Sequence, residues 1–417
     1  MKKYVILGYI YGIGGWQTYI NNKLKLMEEN GWKIYAISNG MRAMPGKMLP
    51  ILERFKDNRL YALSFHDPNE LSHRGLKRTY DKVGKMIEYR EGDEIIFETT
   101  ILDYLMWAEF LAKRFHGRSV CVDVSNSFKN YCHTTLDFFH FKEQRGELMM
   151  MSKTGLHRLF SDYIDYPEVD NNTVGAMTQN EFADDGRNYR ALLKTSEADY
   201  VIGTVGWLDK GYYAILIDEV IKFANENADK KIQFIVVGKS LKGNIERDYE
   251  KKAKDVPNLI LNLMGSIAPV PSNLVKLFDV AVASYGCAII TDNIGVKTIL
   301  MHDPELIPLG ILSYTVIKPP INTRVNFDKS ISEMITDVLI NNICDQYEYS
   351  RYYQSRDVEE QKKRHLERIK QFSEQIEYYD VENMPIKYMG RKHKVKVIFQ
   401  KVFGLSITEI VFPQLTP

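Results

Sequence analysis

Four glycines fall within eight positions near the start of the chain: Gly8, Gly12, Gly14 and Gly15, in "GYIYGIGGWQTY". They separate an apolar run at residues 4–7 from an amphipathic run that opens at Trp16. Strand, glycine turn and helix in that order point backbone N–H groups at a place an anion can approach closely. Two phosphate chemistries fail on residue type. A Walker A loop ends in Gly-Lys-Ser/Thr, so that Lys reaches the phosphates and the hydroxyl reaches magnesium. Here Trp16 and Gln17 follow Gly15. A dinucleotide fingerprint needs a third glycine where Gln17 stands and an acidic residue about 20 positions on. The next strand ends instead in Ser38-Asn39. What remains is a turn suited to a diphosphate or a sugar phosphate, with a ligand-free tight turn as the plain alternative.

A second turn of this kind, "VIGTVGWLDKGY" at 201–212, adds a cation. Lys210 precedes a helix, where its ammonium would face a diphosphate at the strand edge. "FIVVGKS" (234–240) ends a strand at Gly238, and "LMGSIAP" (263–269) adds a glycine turn with the Ser266 hydroxyl. Proton transfer needs a carboxylate or His in the same cleft. Glu98 and Asp123 each end a predicted strand of the first half, as catalytic candidates or as turn and cap residues. "CHTTLDFFH" sets His133, Asp137 and His140 at spacings of four and three on one helix. That face could hold a metal, but no second cluster supports one, so none is expected. His133 is then an acceptor-side polar candidate, with an ordinary surface role as the alternative.

Elements able to position these residues alternate between strand and helix, the pattern of α/β domains with parallel sheets. In the first half the strands are "KYVILGY", "WKIYAIS" (32–38), "DEIIFETT" (93–100) and "RSVCVDVS" (118–125), with helices over 16–30 and 101–115. Residues 126–172, rich in aromatic residues, Met and His, read as helices and loops over a site, and "NNTVGAM" (171–177) as a last short strand. The pattern restarts with strands at 198–206, 231–238, 258–265 and 279–286 and a helix at 211–227. Residues 345–378 read as one or two long polar helices. This predicts two doubly wound domains, 1–190 and 191–380, facing across a cleft, and a basic segment at 381–417. Ligands of such sheets bind at the carboxyl ends of the strands.

Composition narrows the function. A chain of 417 residues with 45% hydrophobic and 26% charged residues is an ordinary globular protein of two domains. A net charge of +1 supplies no field for nucleic acid. Lys2 and Lys3 precede an apolar segment, but the glycines cut it short, so a first strand is expected rather than a signal peptide. The longest later apolar run, "VAVASYGCAII" (280–290), is too short to span a bilayer. Four scattered cysteines without a CxxC pair suit reduced cytosolic thiols, and a cytoplasmic location is expected.

Three segments together resemble the GT-B glycosyltransferases of the large retaining nucleotide-sugar class: "GIGGWQTYINNKLKLMEENGWKIYAIS", "VIGTVGWLDKGYYAILIDEVIKF" and "NLILNLMGSIAPVPSNLVKLFDVAVASYG". The likeness covers residues 1–40 and 198–320, with the middle weakly matched. It implies that Gly14, Gly15 and Gln17 face the donor phosphates and sugar, and that Lys210 clamps the diphosphate. The family's Arg falls at Thr204, and its paired glutamates are replaced by "SYGCAIITDNIGVKT", where Tyr285, Gly286, Asp292, Lys297 and Thr298 are the donor-side candidates. Trp16, Asn126 and His133 are candidates on the acceptor side. The expected reaction moves a sugar from a nucleotide-diphosphate sugar to a glycan or lipid-linked glycan, in bacterial surface-polysaccharide assembly, without a further cofactor. A sugar epimerase, a polyol-phosphate transferase and a non-catalytic GT-B-like binder stay open as rivals.

The tail "PIKYMGRKHKVKVIFQKVFG" (385–404) carries Lys387, Arg391, Lys392, Lys394, Lys396 and Lys401 without an acidic residue. It reads as a basic amphipathic element that either rests on anionic lipid or packs back across the domains. No aromatic stacking platform accompanies the charge, so nucleic acid is not expected.

Overall fold

The computed structural model describes the chain apart from residues 13, 40–47, 125–130, 152, 167–171, 176, 178–183, 241–242, 268, 303–304, 317–328, 351–357, 373–375, 385–389 and 414–417, and apart from the side chains of residues 153, 154 and 358. It forms two compact units. The first is Met1–Thr178 with Val358–Pro417, and the second is Gln179–Asp357. The sequence reading set the boundary at 190 and gave residues up to 380 to the second domain. The structure returns the chain to the first unit at 358.

The first unit holds a parallel sheet of β1 (Lys2–Leu7), β2 (Lys33–Ile37), β3 (Glu94–Thr99), β4 (Arg118–Asp123) and β5 (Leu148–Met150), in the order β2-β1-β3-β4-β5. β1, β2 and β3 are runs rich in β-branched and aromatic residues, as strands covered on both faces require, and β1 is buried from its second residue onward. The Gly15–Glu29 helix follows β1 and ends before Gly31, whose φ of +82° turns the chain into β2. The short β5 lies inside "ELMMMS", read from sequence as helix and loop. Thr173 makes only an isolated bridge to Met150 where a last strand was expected.

The second unit has six strands: β6 (Tyr200–Val205), β7 (Ile232–Val237), β8 (Leu259–Gly265), β9 (Val280–Ala283), β10 (Lys297–His302) and β11 (Ile307–Ile311). Their order is β11-β10-β9-β6-β7-β8, parallel except for the β10–β11 pair. Alternate residues feed two cores. Ile202, Phe234, Val236, Val280 and Val282 pack with Tyr213, Leu216 and Ile217 of the Tyr213–Glu226 helix. Val201, Val205, Ile235, Val237 and Ala281 pack on the other face with Leu274 and Val275. A sheet buried on both faces by its crossover helices is doubly wound.

The basic C-terminal segment belongs to the first unit. The Arg391–Phe403 and Leu405–Val411 helices lie against the first unit. The Tyr61 hydroxyl donates to the Phe412 carbonyl (2.7 Å), and the Gln400 amide donates to the Glu70 carbonyl (2.8 Å). No helix among the described residues is long and apolar enough to cross a membrane.

Candidate functional site

In the second sheet β7 and β8 lie to one side of β6, and β9 and β10 to the other. The crevice at this switch of direction, between the carboxyl ends of β6 and β9, is where an open α/β sheet takes a ligand. The chain leaves β6 at Gly206 and β7 at Gly238, and the two turns touch backbone to backbone. A Cβ on Gly238 would stand 1.9 Å from the Gly206 carbonyl oxygen, so no side chain fits there. Lys210, half-buried in the turn after β6, reaches across the crevice. Its ammonium donates to the Ser284 hydroxyl at 2.8 Å and lies 5.3 Å from the centre of the Tyr285 ring.

Ser284 ends β9 and opens the Tyr285–Asn293 helix, whose first turn has neither a side-chain cap nor an acidic residue. Its positive dipole end lies at the same edge as Lys210. Tyr285 enters with φ +51°, an unusual conformation for an aromatic residue and a local strain. Gly286 falls in that first turn, and Ser266 stands exposed just past β8. An ammonium beside an uncapped helix N-terminus is an arrangement suited to a phosphate or diphosphate.

Three donor-side candidates do not reach this edge. Lys297 and Thr298 begin β10, paired with Val280 and Ala281 at the start of β9, so they sit at the opposite end of the sheet. Thr298 is buried, with its hydroxyl 2.8 Å from that of Thr291. Asp292 lies in the last turn of the Tyr285–Asn293 helix, 3% exposed, and accepts from the Ser313 hydroxyl at 2.6 Å. Thr204 is within β6 and wholly buried. Its hydroxyl donates to the Val282 carbonyl at 2.7 Å and tethers β6 to β9. None of these replaces the Arg that the resemblance calls for.

The first unit has its own switch, between β1 and β3. Gly14 is the N-cap of the Gly15–Glu29 helix, with no side-chain cap and no acidic residue in the first turn. Gln17 folds back, its amide donating to the Tyr9 carbonyl at 3.1 Å, and Trp16 stacks on Tyr9 at 5.5 Å. Tyr104 stands 5.8 Å from Tyr9. Here Trp16 forms part of an aromatic patch beside the loop.

Glu98 is no edge group. It is wholly buried between β1 and the Gly15–Glu29 helix, where it accepts from the Tyr4 and Tyr19 hydroxyls and pairs with Lys23 at 3.6 Å. Its bonds are those of an internal strut, and substrate has no path to it. Asp123 ends β4 at the carboxyl edge, 2% exposed. Together with Asp103 its charge holds the Tyr131 phenol far above its usual range, after burial as the main cause. His133 opens the His133–Gln144 helix in an exposed position, 5.8 Å from the Tyr163 ring. Asn126 lies outside the described residues. Among the described residues no three His, Cys, Asp or Glu side chains are grouped to hold a metal ion.

Two features were missed from sequence. Ser284, in the quoted "ASYG", is the partner of Lys210, and its signal was a hydroxyl at the junction of strand and helix. Asp67 gives no such signal. It follows Phe65, whose carbonyl accepts from the Trp107 indole near the start of the Leu105–Phe115 helix. Burial raises its carboxyl to about 6, Glu70 and Asp103 add to the rise, and His393 opposes it.

Neither a family model nor a curated protein sequence matches the chain. Solved structures do. HepE of Anabaena in complex with UDP and glucose aligns with a TM-score of 0.57 at 12% identity, over 89% of this chain and 100% of that one. A glycosyltransferase from Rickettsia africae gives 0.54 at 11% identity, over 99% of each chain. S. aureus MnaA with UDP gives 0.50 at 10%, over 88% of this chain and 96% of that one. At such identities the likeness is one of fold. With its two doubly wound sheets, the chain has the GT-B fold.

Proposed function

We propose that the chain transfers a sugar from a uridine-diphosphate sugar to a glycan or lipid-linked glycan acceptor, in the cytoplasm and in the assembly of a bacterial surface polysaccharide. The observation that carries this reading is the Lys210 ammonium, held by Ser284 at the switch point of the second sheet beside an uncapped helix N-terminus. Similarity in fold to HepE, which was solved with UDP and glucose, and to MnaA, solved with UDP, supports the choice of nucleotide.

As the bond from the anomeric carbon to the diphosphate oxygen breaks, negative charge grows on the leaving phosphate. A fixed ammonium and helix N–H groups stabilise that charge without reorganising. The acceptor oxygen forms the new bond to the anomeric carbon. Its proton passes to the departing phosphate if configuration is retained, or to a carboxylate if it inverts. Asp123, at the carboxyl end of β4, is the carboxylate carried over from the sequence for that role; the wholly buried Glu98 is not.

Titration calorimetry with UDP tests the reading. Lys210→Ala is expected to weaken UDP binding about 10- to 100-fold, the size of a charge-assisted bond, while leaving the unfolding temperature of the free protein unchanged. A protein that no nucleoside diphosphate stabilises, or a Lys210→Ala variant that binds UDP as wild type does, overturns it.

A further inference from the structure

The two C-terminal helices have an inner and an outer face of opposite character. On the inner face Val397, Gln400 and Thr408 are wholly buried. The Lys396 ammonium there donates to the Ser64 hydroxyl at 2.7 Å and lies 4.2 Å from the centre of the Phe65 ring, and His393 pairs with Glu70 at 2.8 Å. These contacts fix the helices on the first unit and fix which side chains point away from it.

The outer face is apolar. Val395, Ile398 and Val402 follow one another at helical spacing, 55%, 50% and 67% exposed, with Phe403 at the helix end. After Gly404 the Leu405–Val411 helix adds further exposed apolar side chains, Ile407, Ile410 and Val411, the second of them 79% exposed. Nearly half of the large exposed apolar side chains among the described residues lie in this one stretch, 395–411. Single exposed apolar residues are ordinary, but a contiguous patch marks a docking surface. Its charge is mostly basic: Arg391, Lys392, Lys394 and Lys401 are exposed, against one exposed carboxylate, Glu409.

We infer that this face, the outer side of residues 391–411, docks the protein on an anionic lipid bilayer. The apolar stripe enters the boundary between headgroups and acyl chains while the flanking cations meet the lipid phosphates. A second copy fits the same surface poorly. A twofold contact joins the same patch of both copies, so the basic charge of one would face that of the other. Docking is independent of sugar transfer, because no residue of the 391–411 face belongs to the Lys210 edge.

Co-sedimentation of the full chain with vesicles tests this. Binding is expected to vesicles of phosphatidylcholine mixed with phosphatidylglycerol, to weaken with added salt, and to be much lower on phosphatidylcholine alone. Ile398→Asp with Val402→Asp is expected to reduce that binding about tenfold or more, and Lys392→Glu with Lys401→Glu to reduce it by a similar factor. Each variant should melt as wild type does, since all four side chains point outward. Lys210→Ala should sediment with vesicles as wild type does, which separates a failure of docking from a failure of the transferase reading. The inference is overturned by absent binding to the anionic vesicles. It is overturned equally by binding that neither double variant changes, or by a concentration-dependent dimer in light scattering that Ile398→Asp with Val402→Asp abolishes while vesicles are not bound.

Discussion

Asp67 carries a carboxyl whose surroundings favour the protonated form, with burial as the main cause and a value near 6. An ordinary Asp titrates near 3.9 when unfolded. The folded state therefore holds more protons than the unfolded state between about pH 4 and pH 6, and stability from this group falls as pH rises through that window. Above about pH 6 the whole cost is present. Asp67→Asn is accordingly expected to be more stable than wild type at pH 7 by about 1–3 kcal/mol, the gap closing as pH falls toward 4. Urea unfolding of both proteins across that range checks it, and a gap independent of pH would contradict the assignment. Glu98 is the contrasting case in its contacts, a wholly buried carboxyl group met by two tyrosine hydroxyls and Lys23. Glu98 closes an apolar strand run and Asp67 lies in a polar loop, and neither sequence shows where the side chain ends. What separates them is which side of the strand or helix each side chain leaves from, and that is set by packing.

Helices and strands with strong patterns were legible, and the reason is physical. Runs such as "YVIL", "IIFET" and "IQFIVV" are too apolar and β-branched for anything but a covered strand, and β1, β3 and β7 lie where those runs fall. The glycine turns were legible for a related reason. Gly238 faces a backbone oxygen that any Cβ would strike, and Gly238→Ala is expected to destabilise the second unit by about 3 kcal/mol or more, since overpacking against backbone has no side chain to yield. Thermal unfolding measures it, and Gly15→Ala, whose Cβ would meet nothing within 4 Å, serves as the tolerated control. What stayed hidden was direction. Lys297 and Thr298 read as donor-side candidates, yet they open a new strand, β10, and a residue that begins a parallel strand lies at the edge away from the ligand. Lys297 thus had the right chemistry at the wrong end. The sequence set Lys210 at a strand edge but gave no partner for it, because the Lys210–Ser284 bond joins positions 74 residues apart.

At the scale of the molecule, the first unit is built from both ends of the chain. The Val358–Gln371 helix returns to it, with His365 3.1 Å from the buried Lys23 ammonium and 2.8 Å from the Gly175 carbonyl. Burial, reinforced by Lys23, keeps that imidazole well below its usual range and therefore neutral, so it can face an ammonium without repulsion. A chain ending at residue 357 is expected to lose the cooperative melting of the first unit and keep that of the second, as read by calorimetry. Retention of both transitions would show that the returning helices contribute little. The same discontinuity orders events during synthesis. At about 5–20 residues per second, the ribosome spends roughly 10–50 s between finishing residue 178 and finishing the helices that cover the first unit. Over that interval the second unit can complete itself from one continuous stretch, while the first waits with Lys23, Tyr61 and Glu70 uncovered. A nascent-chain holdase would be needed by the half of the protein that emerges earliest.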